Sequence, residues 1–197
     1  CVIGGGCTGV FAAVRAARLG ATVALVENNG FFGGVATAGL VNIWHSIYDT
    51  VGERQIIGGL TVEVIERLQK RDAVVIYSAN ESRHAVFNSA ELIAELDAVV
   101  CEQPNIRPFL HARFVAPAQQ GGAMTAAIIE DKSGRRAIRA RDRDRTLEHL
   151  VAGQPRRDRE VGACRSQRRS DGNGPAQDGR QIVEAGPRSL EVEAVQA

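Results

Sequence analysis

The residues best placed to do chemistry stand at the start of the chain. Gly4-Gly5-Gly6-Cys7-Thr8-Gly9 has the form G-x-G-x-x-G, and the acid Glu27 follows eighteen residues after Gly9. A glycine string alone is weak evidence, because glycine-rich turns are common. Here the apolar run Cys1-Val2-Ile3 precedes it, and helical spacing begins on it at Val10, Phe11, Ala13, Val14, Ala17 and Leu19. Gly20 stops that helix, and the β-branched run at residues 21–26 leads into Glu27, completing a β-α-β unit. Each glycine has a task in such a unit. Gly4 permits the tight turn, Gly6 lets a pyrophosphate approach the backbone, and Gly9 lets the helix pack closely on the sheet. The phosphates then meet the unpaired N–H groups and the positive dipole end of the helix. Glu27 is suited to accept hydrogen bonds from both hydroxyls of an adenosine ribose, and its charge disfavours a 2′-phosphate, hence NADP.

The elements that must position these residues continue to about residue 140. After Glu27 comes a second glycine-rich stretch at residues 30–39, containing Gly33, Gly34 and Thr37. Gly58-Gly59 introduces a helix predicted at residues 60–69, with Val64, Ile65 and Leu68 on one face. Asn88 and Glu91 have the spacing of a capping box for a helix reaching about Cys101. Three strand-like runs follow, at 106–115, 124–130 and 136–141, the last two joined by the turn Asp131-Lys132-Ser133-Gly134. They predict a three-stranded antiparallel meander inserted into an α/β frame.

At this point the residues resemble the bacterial FAD-dependent oxidoreductase family of the glutathione-reductase-like superfamily. The opening is similar in its order of strand, GGGxxG, helix, strand, Glu and then a Gly-Gly-x-x-Thr loop. The resemblance covers roughly residues 1–140. It implies a Rossmann-like FAD-binding domain with an inserted meander. It also implies FAD as cofactor, with phosphate contacts from Gly4, Gly5, Gly6, Cys7, Thr8 and Gly9. Glu27 would contact the ribose, and Gly33, Gly34 and Thr37 would lie toward the flavin. A backbone contact to adenine is implied near Phe114. The implied activity is transfer of a hydride or electrons between a small organic substrate and FAD. The alternative is a truncated, non-catalytic chain binding at most the ADP moiety. An NAD-dependent dehydrogenase would need a second nucleotide-binding half after Glu27, and none follows.

Beyond residue 140 the chain changes character. From Arg135 onward there are 14 arginines and no lysine against 10 acids, and all nine aromatics lie at or before Phe114. Periodicity is lost from Asp142, and residues 141–197 read as an Arg-rich tail, disordered or frameshifted. Where family members resemble one another in a further strand and a Thr-Gly-Asp-Gly-Asp-like loop, this chain has Arg141-Asp-Arg-Asp-Arg-Thr146. Codons for Asp-Arg-Asp-Arg, read one base later, can encode Thr-Val-Ile. The hypothesis is a shift of reading frame near residues 136–141. Resequencing the coding DNA tests it. A one-base correction should restore an apolar strand and a Gly-Asp loop, and a clean frame with neither in the neighbouring phase rejects it.

Other classes are disfavoured. Formal net charge is +1, the tail has no aromatic interleaving, and nucleic-acid binding is not expected. Cys1, Cys7, Cys101 and Cys164 form no C-x-x-C pair and no metal-ligand spacing, so neither a redox disulfide nor a metal site is expected. No apolar run approaches the roughly 20 residues of a membrane span, and a cytoplasmic location is the expectation. The chain opens on Cys1 directly before a strand, so its native N-terminus is expected to lie upstream. Trp44, His45 and Tyr48 follow the second glycine loop, where His45 is a chemically reasonable acid/base group. A packed or solvated His45 is the simpler expectation. His84 and His111 read as structural, and Cys7 as a small residue in a tight slot.

Overall fold

The computed structural model describes residues 1–79, 82–140 and 190–194. Its frame is a parallel sheet of β1 (Val2–Ile3), β2 (Val23–Val26) and β6 (Ile106–Phe109), in the order β1-β2-β6. Strand β2 is central, and all four of its residues are buried. Its side chains alternate between two cores, as a strand's must. Val23 and Leu25 face one core, and Ala24 and Val26 face the other.

The first core is roofed by three helices: α1 (Cys7–Arg18), α2 (Leu60–Gln69) and α3 (Ser89–Cys101). Val10, Ala13, Val14 and Ala17 supply the buried stripe of α1, Val64 and Leu68 that of α2, and Leu92, Leu96 and Val99 that of α3. Burying each such Val or Leu contributes about 1.5–3 kcal/mol. Asn105 fastens the far end of α1, its amide donating to the carbonyls of Ala17 and Ala21 at 2.8 and 2.6 Å.

The second core lies on the opposite face of the same sheet. Ala24, Val26, Phe109 and Ala112 meet Ile129 and Ile138 from an antiparallel sheet of β7 (Arg113–Gln120), β8 (Ala123–Asp131), β9 (Gly134–Ala140) and β10 (Leu190–Ala194). The guanidinium of Arg136 lies 5.7 Å from the Phe109 ring centroid, that of Arg107 5.1 Å, so this aromatic carries two cationic neighbours.

Several expectations need correction. The predicted strand at 106–115 is two strands in two sheets. The break falls at His111, which takes the left-handed φ of 52° and redirects the chain. The antiparallel sheet has a fourth strand, β10, pairing Val192 with Ile138; the expectation of a structureless tail otherwise concerns residues outside those described. A third sheet was not anticipated. It consists of β3 (Ile43–Trp44), β4 (Val74–Ala79) and β5 (Ser82–Phe87), in the order β3-β5-β4. The apolar run at residues 74–77 was its available signal.

The capping box at α3 is half built. Asn88 Oδ1 accepts the N–H groups of Ala90 and Glu91 at 2.9 and 3.4 Å. Glu91 does not reciprocate, because Arg71 holds its carboxylate and Ala73 O already accepts the Asn88 N–H. The turn at 131–134 has the expected form, with Ser133 N–H donating to Asp131 Oδ1 at 2.8 Å and Gly134 at φ 101°.

Candidate nucleotide-binding site

The first glycine turn leaves β1 at Gly4, whose φ of 99° only glycine adopts readily. Gly4 N–H donates to Val26 O at 2.8 Å, which locks the turn onto the end of β2. A Cβ on Gly9 would lie 1.8 Å from Gly4 O, and one on Gly5 would lie 2.5 Å from the Phe32 ring. Those glycines are dictated by packing. Gly6 differs, because a Cβ there would meet nothing within 4 Å. The space above Gly6 is open, as a ligand approaching the backbone requires.

Gly6 is also the N-cap of α1, with no side-chain cap and no acid in the helix's first turn. Its N-terminal N–H groups therefore face that open space without a side-chain acceptor. An anion is the natural complement.

The second glycine loop joins the first directly. Gly33 N–H donates to Gly5 O at 2.8 Å, and Gly6 and Gly33 form a parallel bridge. Gly33 and Gly34 adopt φ of 112° and 54°. A Cβ on Gly34 would come 3.1 Å from Gly6 Cα, so the two backbones are in close contact. Thr37 is buried, and its hydroxyl donates to Phe32 O at 2.8 Å. The Cys7 thiol donates to Gly33 O at 3.6 Å. Burial pushes that thiol up to about 11, with a hydrogen bond from its own backbone N–H acting the other way, so it stays protonated at neutral pH. Thr8 is exposed at the helix start.

Glu27 closes the site at the C-terminal end of β2. It is 7% exposed, and its Oε2 accepts Gly5 N–H at 2.6 Å. Its Oε1 accepts the backbone N–H and the side-chain amide of Asn29, at 2.7 and 2.9 Å. The structure thus brings Gly4, Gly5, Gly6, Cys7, Gly9, Glu27, Gly33, Gly34 and Thr37 into one continuous corner.

Two residues of that corner were not singled out as site residues from the sequence. Asn29 carried a faint signal: a short amide two residues after an acid reaches back easily across a turn. His111 carried none, since its neighbours at Asn29 and Gly30 are about eighty residues away in the chain.

Trp44 lies elsewhere. Half-buried, it packs against the first core through Phe87 and Phe11 at centroid distances of 4.8 and 6.5 Å. His45 is exposed. A groove of about 620 Å³ runs between Arg15 and Arg18 of α1 and the start of α2, and no residue of either glycine loop lines it. Among the described residues, no cluster of His, Cys, Asp and Glu could hold a metal ion, and no helix is long and apolar enough to cross a membrane.

A family model described as FAD dependent oxidoreductase matches residues 1–142. No curated protein matches the chain. Among solved structures, GidA from Aquifex aeolicus is 20% identical with a TM-score of 0.50, covering 65% of this chain and 22% of that one. THI4 from Thermovibrio ammonificans is 17% identical with a TM-score of 0.44, covering 67% and 47%. The p-nitrophenol 4-monooxygenase PnpA from Pseudomonas putida is 12% identical with a TM-score of 0.46, covering 68% and 36%. At such identities the GidA likeness speaks for the fold alone. The chain spans less than half the length of each of these three proteins. With residues 1–142 matched, the chain belongs to the FAD dependent oxidoreductase family.

Proposed function

We propose that the chain binds FAD and serves an oxidoreductase that passes a hydride or an electron pair between a small organic substrate and the flavin. The observation that carries this is the contact of two glycine loops over the uncapped start of α1, with Glu27 anchored on Gly5 beside them. The residues present fit the group. Open space at Gly6 admits a pyrophosphate, and the α1 N–H groups supply its donors. Gly4, Gly5, Gly6, Cys7, Thr8 and Gly9 would surround the phosphates, and Glu27 would take the adenosine ribose. Gly33, Gly34 and Thr37 would border the path toward the flavin. When bound, FAD supplies the redox chemistry through its isoalloxazine ring. The chain's own part is to hold the ADP half rigidly, which the left-handed glycines and their backbone bonds accomplish. No described side chain is assigned as an acid or base. The protonated Cys7 thiol has the wrong state for a nucleophile.

A second reading is that this polypeptide holds the ADP half without turnover. It is favoured by the extent of the match, which stops at residue 142 of 197. Purification in the presence of FAD followed by desalting separates the two. Flavin absorbance that co-elutes with the protein in near-stoichiometric amount supports the oxidoreductase. Loss of flavin with retained ADP binding supports the second reading, and failure to bind either molecule rejects both.

A further inference from the structure

Glu27 is more fully engaged than a waiting ribose acceptor should be. Its carboxylate accepts three hydrogen bonds: Gly5 N–H on Oε2, and the N–H and side-chain amide of Asn29 on Oε1. An ionised carboxylate offers about four lone-pair sites, so one remains. A ribose 2′,3′-diol brings two O–H donors.

Two of the three resident donors belong to the backbone frame. Gly5 is pinned because its carbonyl accepts Gly33 N–H at 2.8 Å and its neighbour Gly4 N–H donates to Val26 O. Asn29 N–H is held by its surroundings. The Asn29 carbonyl accepts His111 N–H at 3.0 Å, the Glu27 carbonyl accepts Ala112 N–H at 3.0 Å, and Glu27 N–H donates to Phe109 O at 2.8 Å. The His111 ring lies against Gly30, where a Cβ would come 2.5 Å from its Nε2. His111 holds this corner at a φ of 52°, which for a residue with a side chain marks a spot imposed by its surroundings. The third donor is different. The Asn29 amide hangs on two rotatable bonds, half-buried beside the exposed Asn28.

We infer, on the reading of the turn at residues 4–9 as an ADP site, that the Asn29 side chain is a gate on Glu27. Its amide occupies the place on the carboxylate that the second ribose hydroxyl needs, and it swings away when a vicinal diol binds. In the chain as it stands the same amide gives Glu27 Oε1 a second donor beside the Asn29 N–H, which adds to the compensation of a buried carboxylate. Asn29 is thus a specificity-determining and positioning residue for the nucleotide. It favours the empty state and lowers the advantage of a diol over a single hydroxyl. His111 and Gly30 keep the backbone of the gate in place while the amide moves.

The test is calorimetric titration of the full chain, wild type and Asn29→Ala, with ADP and with 2′-deoxy-ADP. A charge-assisted hydrogen bond released from competition should let Asn29→Ala bind ADP about fivefold more tightly than wild type. Affinity for 2′-deoxy-ADP should be unchanged, because one hydroxyl already has a free site. The variant should also melt a few degrees below wild type without ligand. Unchanged or weaker ADP binding by Asn29→Ala overturns the gate, as does an equal gain for both nucleotides. The wild type alone supplies a second measurement that needs no substitution. Its preference for ADP over 2′-deoxy-ADP should be about threefold or less, and a preference of about tenfold, as two unimpeded charge-assisted bonds would give, overturns the gate. A wild type that binds neither ADP nor FAD brings down the nucleotide site itself, whereas normal ADP binding without the selective gain brings down the gate alone.

Discussion

In the turn at residues 4–9 the shape is set by side chains that are missing. A Cβ on Gly9 would fall 1.8 Å from Gly4 O, and one on Gly5 would fall 2.5 Å from Phe32. Around Glu27 the shape is set by side chains that are present: the Asn29 amide on the carboxylate and the His111 ring on Gly30. The two regions share the Gly5 N–H to Glu27 bond and border the same space. They differ in how an error would propagate. A steric demand between backbones has no partial solution, because a close-packed interior does not yield by an ångström. A polar contact can be exchanged for another donor at modest cost. The first region should therefore respond to substitution in an all-or-none way, the second in small steps of either sign.

The largest expected effect is that of Gly9→Ala. Its Cβ must displace backbone, and the chain should lose on the order of 3 kcal/mol of stability or fail to fold. Denaturant titration followed by circular dichroism measures this; a loss below about 1 kcal/mol would break the contrast. Gly6→Ala sharpens it from the other side. Gly6 sits at φ −62° and ψ 170°, which alanine accepts, with open space where its Cβ would go. Stability should be unchanged or up to about 1 kcal/mol higher. FAD or ADP affinity should nonetheless fall about tenfold or more, since a methyl group then stands where the pyrophosphate would approach. Normal affinity in Gly6→Ala would mean that the open space is not the phosphate site.

A smaller effect comes from a third region that neither glycine loop touches. Arg18 holds Glu63 at 2.7 Å, Arg67 bridges Glu63 and Glu102, and Arg71 holds Glu91 and Glu95, so α2 is braced against both α1 and α3. The Arg18 hydrogen bond is the main cause that draws Glu63 down to about 2, and Arg67 draws Glu102 below its usual range in the same way. A carboxylate depressed in the folded state adds stability above its ordinary value near 4.5. That contribution is lost as pH falls from there through about 2. Glu63→Gln should flatten this acid limb and change stability at neutral pH by no more than about 1 kcal/mol, because such exposed pairs are weak. Nucleotide affinity should not move. Chemical denaturation at several pH values between 5 and 2 follows the limb, and an unaltered limb in Glu63→Gln would place the acid sensitivity elsewhere. The gate at Asn29 stands last in size and is the one case where a loss of stability should accompany a gain in affinity.

The same division between local and distant causes explains what was legible in the sequence. The unit β1-α1-β2 was readable because its signals are short-range: helical spacing from Val10 to Ala17, the stop at Gly20, and an acid at the end of the second strand. Helices α2 and α3 were readable for the same reason, and Asn88 does cap α3. The break at His111 was not, since no residue type there announces a left-handed backbone. Strand β3 has only two residues, too few for a pattern, and its sheet forms because β5 pairs with it from forty residues away.

By itself, then, the order of residues determined that a glycine turn would join a strand to a helix and that Glu27 would stand at the end of the next strand. Spacing along one chain is enough for that, because the helix and strand periods act on neighbours. Only the tertiary structure decided that the second glycine loop lies on the first, through Gly33 and Gly5, and that Asn29 and His111 complete the corner around Glu27. The Asn29–Glu27 bonds are local, but the Gly33–Gly5 and His111–Asn29 contacts join residues 28 and 82 positions apart, and which of many possible distant partners meet is settled by packing two cores on the two faces of one sheet.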